Sequence, residues 1–162
     1  MSDRVITFKM GDRVIKEVIE NNIELSELTP DEVKNALNRA VGKYAYYASL
    51  RADAKKMMAK IEIEATSWSA EKYNFISQQP DYKKATGKAI ETQIVVQFQP
   101  EWKQWEARKA AIQLVVDKLL VLVNAFDLMI KTLQSVLAMM RTELNMASQG
   151  GAARGSGDFL DQ

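Results

Sequence analysis

The chain has 162 residues, 47% of them apolar, with 22 lysines and arginines against 21 acids and neither cysteine nor histidine. That length suits one domain with a core, while disulfides, thiolate zinc sites, imidazole acid–base catalysis and the Glu-x-x-His pairs of a di-iron bundle are all excluded. A net charge of +1 names no partner, and no cofactor is expected.

Residues 4 to 10 alternate weakly, which predicts a short strand ended by Gly11 and Asp12. Val14, Ile15, Val18 and Ile19 have helical spacing, and Asn21 and Asn22 suit a helix end. Residues 1–28 are therefore read as an N-terminal strand or helix segment. The charges in this stretch also leave no room for the apolar run of a signal peptide.

Thr29, Pro30, Asp31 and Glu32 form a helix start: Thr29 can accept from the amide of Glu32, Pro30 needs no donor in the first turn, and Glu32 can reach back. The apolar positions that follow, Val33, Leu37, Ala40 or Val41, Tyr44, Tyr47, Leu50, Ala54, Met58, Ile61, Ala65 and Trp68, keep helical spacing to about residue 76. Gln79, Pro80 and Asp81 break the pattern. A shorter helix is predicted from Tyr82 to Phe98, against the preferences of Gly87 and the β-branched Ile94, Val95 and Val96. Pro100 then sits in the first turn of a last helix running to about Met146, roughly 70 Å long at 1.5 Å per residue.

That last helix carries a heptad seam. Trp102, Trp105, Ile112, Val116, Leu119, Val123, Phe126, Ile130, Leu133, Leu137, Met140 and Leu144 recur in alternating three- and four-residue steps, broken only at Lys109. Val115, Leu122, Met129 and Val136 form a second stripe beside it. Two adjacent stripes need more cover than one partner helix supplies, which favours a multi-helix or oligomeric core over a two-stranded coil. The oligomeric core is expected to be built on Ile112, Val116, Leu119, Val123, Phe126, Ile130, Leu133 and Leu137. The longest uncharged stretch of this region lies between Lys131 and Arg141, far short of the roughly 20 residues that span a bilayer. A cytoplasmic protein without a membrane partner is expected.

Residues 29–147 thus form the predicted helical core, and 148–162 a disordered glycine-rich tail. The tail ends in Asp158, Phe159, Leu160 and Asp161, two apolar side chains between two acids. Two readings stay open for it: a tip that docks a partner, or an ordinary chain end.

The charges are unevenly placed. Lys34, Arg39, Lys43, Arg51, Lys55, Lys56 and Lys60 face a single acid, Asp53, between residues 34 and 60. Tyr44, Tyr46 and Tyr47 lie among them, and Trp68, Tyr73, Phe75 and Tyr82 accompany Lys72, Lys83, Lys84 and Lys88. Lysines neutralise phosphates and rings stack on bases of any sequence, so the mixture suits a single strand. Tyr44, Tyr47 and Trp68 fall on the apolar stripe and read as core, whereas Tyr46, Lys55, Lys56, Tyr73, Lys83 and Lys84 have no such role. The lysines can equally be a solvated face.

The order of parts resembles the UvsY-type phage recombination mediators: an N-terminal helix, a long basic helix (Leu50 to Glu64, with Arg51, Lys55, Lys56 and Lys60), a basic and aromatic junction (Trp68 to Phe75, then Tyr82, Lys83 and Lys84), and an oligomerising helix ending in Met139, Met140, Arg141, Thr142 and Glu143. The resemblance spans roughly residues 12 to 146. It implies a ring-like homo-oligomer in the host cytoplasm that binds single-stranded DNA, remodels a single-strand-binding protein and loads a RecA-class recombinase. The junction Ser67 to Tyr73 has one lysine and one acid, fewer cations than the family carries there, and the Asp-Phe-Leu-Asp end is foreign to it.

The sequence therefore predicts an all-α protein of two long helices with a shorter one between them, without chemistry of its own. Its nucleic-acid-binding residues are expected to be Arg51, Lys55, Lys56, Lys60, Lys72, Tyr73, Lys83, Lys84 and Lys88. The competing reading is a helical scaffold that self-assembles without nucleic acid.

Overall fold

The structure, a computed structural model, describes residues 4–10, 12–19 and 28–154. Its elements are β1 (Arg4–Met10), β2 (Arg13–Ile19), α1 (Pro30–Ser77), α2 (Gly87–Gln97) and α3 (Gln99–Arg154). Two long helices with a shorter one between them are as expected, with a two-stranded hairpin added at the N-terminus.

The helix expected over Val14 to Ile19 is instead strand β2. Its burial alternates, with Ile15, Glu17 and Ile19 partly covered and Val14, Lys16 and Val18 exposed. Four β-branched residues in six positions satisfy a period of two as readily as a helical one, and pairing with β1 decides between them. On β1, Ile6 and Phe8 are buried while Val5, Thr7 and Lys9 face solvent.

Helix α1 starts on the predicted capping box. The Thr29 amide donates to Glu32 Oε2 at 2.8 Å and the Glu32 amide donates to Thr29 Oγ1 at 3.4 Å. The bond from the Thr29 amide, then that from its hydroxyl, holds the Glu32 carboxyl below its usual range. Burial along the helix recurs at seven-residue spacing through Val33, Ala40, Tyr47 and Ala54, so α1 has a seam of its own. Helix α2 is shorter than the predicted Tyr82–Phe98. Pro80–Tyr82 forms a 3-10 turn, and Thr86 caps α2 by accepting from the Ala89 amide. Phe98 then closes α2 by donating to the Ile94 carbonyl at 2.9 Å and opens α3 by accepting from the Trp102 amide at 2.9 Å. Helix α3 runs past Met146, its predicted end.

The chain divides into two compact units. The first comprises Met1–Thr7, Lys16–Tyr47 and Val121–Gln162, the second Phe8–Ile15 and Ala48–Leu120.

In the first unit one carboxylate ties β2 to α1. Glu17, with 13% of its side chain exposed, pairs with Lys43 and accepts from the Tyr47 hydroxyl at 2.6 Å. The Tyr47 ring stacks on Phe126 of α3, 5.7 Å between centroids at 12°, and the Lys43 ammonium lies 5.5 Å from the same Phe126 ring. Burial first, then the bond to Glu17 and its charge, then Tyr46, push the Tyr47 hydroxyl well above the usual tyrosine range. A phenol whose pKa is raised on folding adds stability in full below its unfolded pKa of about 10 and loses it as the pH climbs toward the folded value. Tyr47→Phe is expected to cost about 1.5–3 kcal/mol at neutral pH, the range for hydrogen bonds to charged groups. The deficit should shrink above about pH 10, where Tyr47 ionises in the unfolded parent and so favours its unfolding, a gain the variant's unfolded state does not have. Urea denaturation of both proteins at pH 8 and pH 11 checks this; a deficit that is constant across that interval removes Tyr47 as the cause.

The second unit is built round Ile76, Ile90 and Ile94, on which Trp68, Tyr82, Ala85 and Phe98 pack. This cluster holds α2 against the end of α1 and the start of α3.

Candidate nucleic-acid interface

The predicted binding residues all fall in the second unit, and they divide by environment. Lys55, Lys83, Lys84 and Lys88 are exposed and form no ion pair among the described residues. Lys56 and Lys60 keep 81% and 79% of their side chains exposed, at 3.7 Å from Asp53 and 3.9 Å from Glu64. Surface pairs of this kind are worth at most about 1 kcal/mol, so both ammoniums remain exchangeable for phosphate.

Two predicted cations are built into the fold. Lys72, only 21% exposed at its side chain, lies 4.7 Å from the Phe98 ring centroid and 3.9 Å from Glu101. Arg51 is half-buried, and its Nε is buried without a hydrogen-bond partner. Tyr73 is exposed, with its hydroxyl beside Gly87: a Cβ there would stand 3.6 Å from it.

The aromatic side of the unit converges on a groove. Two adjoining hollows, of about 390 and 400 Å³, share Ser69, Glu91 and Trp102. Trp68, Tyr73, Trp105 and Lys109 line the first, and Lys88, Thr92 and Val95 the second. The rings are held in place. Trp68 Nε1 donates to Glu101 Oε2 at 2.8 Å, and its ring meets Phe98 edge-on at 6.4 Å and Trp102 at 6.3 Å with a 43° tilt. The Arg108 guanidinium lies over Trp105 at 4.7 Å from the ring centroid and 3.6 Å from Glu64. Lys60 lies 3.9 Å from the same Glu64, so this carboxylate stands between a cation of α1 and the arginine that covers Trp105.

Trp102, Trp105, Lys109 and Glu91 were no part of the predicted site, because the first two open the α3 seam. The flanking Lys103, Arg108 and Lys109 were the signal that this end of the seam is polar.

The predicted oligomerisation residues also divide. Ile112, Val116, Leu119, Phe126 and Leu133 are buried within the single chain, so its own elements cover much of the seam. Val123, Ile130 and Leu137 are partly exposed. From residue 136 to 147, α3 has no buried residue, and Leu144 and Met146 are 61% and 67% exposed. The proposed tip, Asp158 to Asp161, lies outside the described residues. A further hollow of about 530 Å³ in the first unit is lined by Val18, Ile19, Ala36, Phe126 and Met129, with Glu32, Arg39 and Lys43 as its charged members.

Among the described residues there is no group of acids able to hold a metal ion and no helix long and apolar enough to cross a membrane. No family model matches the chain, and no curated protein or solved structure matches it.

Proposed function

We propose that this protein is a non-enzymatic mediator of recombination that binds single-stranded DNA and helps to load a RecA-class recombinase on a strand held by a single-strand-binding protein. The observation that carries the reading is the second unit's combination of unpaired, exposed Lys55, Lys83, Lys84 and Lys88 with a groove walled by Trp68, Trp102 and Trp105. Cations of this kind release counterions from a phosphate backbone, and ring faces suit unpaired bases. The recombinase and the single-strand-binding protein come from the resemblance to UvsY-type mediators, and the acidic-aromatic tip at Asp158 to Asp161 is the segment best suited to recruiting one of them.

Self-assembly belongs to the same reading. The uncovered Leu144 and Met146 at the end of α3, with the partly exposed Val123, Ile130 and Leu137, offer a surface for further copies of the chain. A homo-oligomer turns each further contact with one strand into an intramolecular step, multiplying a weak site.

Titrating a labelled single-stranded oligonucleotide at increasing salt tests the proposal. Affinity should fall linearly on a double-logarithmic plot, by roughly 0.7 per phosphate neutralised, with little dependence on base sequence. An oligomer that binds no DNA at low salt would instead be the self-assembling scaffold.

A further inference from the structure

We infer that the tryptophan groove seats an unstacked nucleobase, so that each subunit holds one base of a bound strand while surrounding lysines hold the neighbouring phosphates. The inference rests on the single-strand reading above and gives it a location.

A groove with cations at its rim could take a phosphate or a base, and Glu91 decides between them. Its side chain lines both hollows and has no hydrogen bond or ion pair among the described residues. A free carboxylate repels a phosphate, whereas it accepts from the ring and amino N–H groups along the edge of a base. The lining is otherwise what a flat, aromatic, partly polar ligand requires: ring walls from Trp102 and Trp105 and small side chains at Ala65, Ser69 and Ala70. Each hollow falls in the usual range for small-ligand sites, about 300–1,000 Å³.

The walls are also set before anything binds. Glu101 fixes Trp68, and Arg108 covers one ring of Trp105. Little side-chain freedom is left to lose on stacking, which is the condition for a contact to show up as affinity. Lys88 and Lys109, one in each hollow, place positive charge beside the seat.

The protein supplies its own reporter, because its three tryptophans all line this groove. The full chain is titrated with oligo(dT) and with an abasic deoxyribose-phosphate strand of equal length, at one salt concentration. Binding is followed by the anisotropy of a label on the strand, and tryptophan emission is read in parallel. Both strands should bind, with oligo(dT) the tighter and the only one to quench the tryptophans. Trp102→Ala should reduce the advantage of oligo(dT) over the abasic strand by roughly five- to a hundred-fold, and Trp102→Phe should restore part of it. Equal binding and equal quenching by the two strands would overturn the inference and leave the single-strand reading standing. An unchanged advantage in a folded Trp102→Ala variant would do the same. Failure of both strands to bind removes the single-strand reading, and this inference with it.

Discussion

Replacing Phe126 and Leu133 together by Asp is expected to abolish the cooperative thermal transition of the chain. Phe126 is 6% exposed and stacks on Tyr47, and Leu133 is 1% exposed. Each substitution places a carboxylate in a buried apolar position, and the nearby Lys43 is already paired with Glu17, so the cost is several kcal/mol against a total stability of roughly 5–15 kcal/mol for a domain. Circular dichroism melting with sedimentation at one protein concentration measures the result. A variant that keeps its helicity and melting temperature and only sediments more slowly would show that another copy covers these positions.

Replacing Lys55, Lys56, Lys83 and Lys84 by Ala is expected to have the largest effect on binding. At roughly 0.7 per phosphate contact on a single strand, four lost contacts lower the salt slope by about 3 and the affinity near 0.1 M salt by roughly a hundred-fold or more. All four side chains are exposed and only Lys56 has an ion pair, a surface one, so the fold should be untouched. The readout is the slope of affinity against salt for parent and variant, with helicity and sedimentation as controls. A variant with the parent's slope would make these lysines a solvated face.

The helical layout was legible because its signals are local. Thr29, Pro30 and Glu32 mark the start of α1 through bonds made within one turn, and the structure contains those bonds. The break at Gln79 to Asp81 was visible for the same reason: Pro80 opens a 3-10 turn. The hairpin was half legible, since Val14, Ile15, Val18 and Ile19 fit a strand or a helix until pairing with β1 decides. What covers the α3 seam was not legible at all. A heptad stripe states that something must pack on it; that the burial of Leu119 and Phe126 is achieved within one chain depends on contacts between residues remote in sequence. The groove was hidden by the same ambiguity, because Trp102 and Trp105 satisfy the seam's spacing while lining an open hollow. Lys72 carries the opposite ambiguity: a lysine among aromatics reads as a ligand for phosphate, and the contacts it makes with Phe98 and Glu101 are invisible in the sequence.

The division of the chain into units also ranks its folding steps by entropy. The second unit is nearly continuous in sequence, from Ala48 to Leu120 with only Phe8–Ile15 added, whereas the first is gathered from three separated stretches. Joining Trp68 to Glu101 in the second unit closes a loop of 33 residues; joining Tyr47 to Phe126 in the first closes one more than twice as long. Each doubling adds about 0.6 kcal/mol to the closure, and contacts distant in sequence slow a nucleus that depends on them. The 48–120 segment therefore has the lower entropic threshold, and once it has condensed, its residues no longer count as free chain between Tyr47 and Phe126. The aromatic groove is thus part of the region that can nucleate first, and the stacking of Tyr47 on Phe126 is a closure that the earlier step makes shorter.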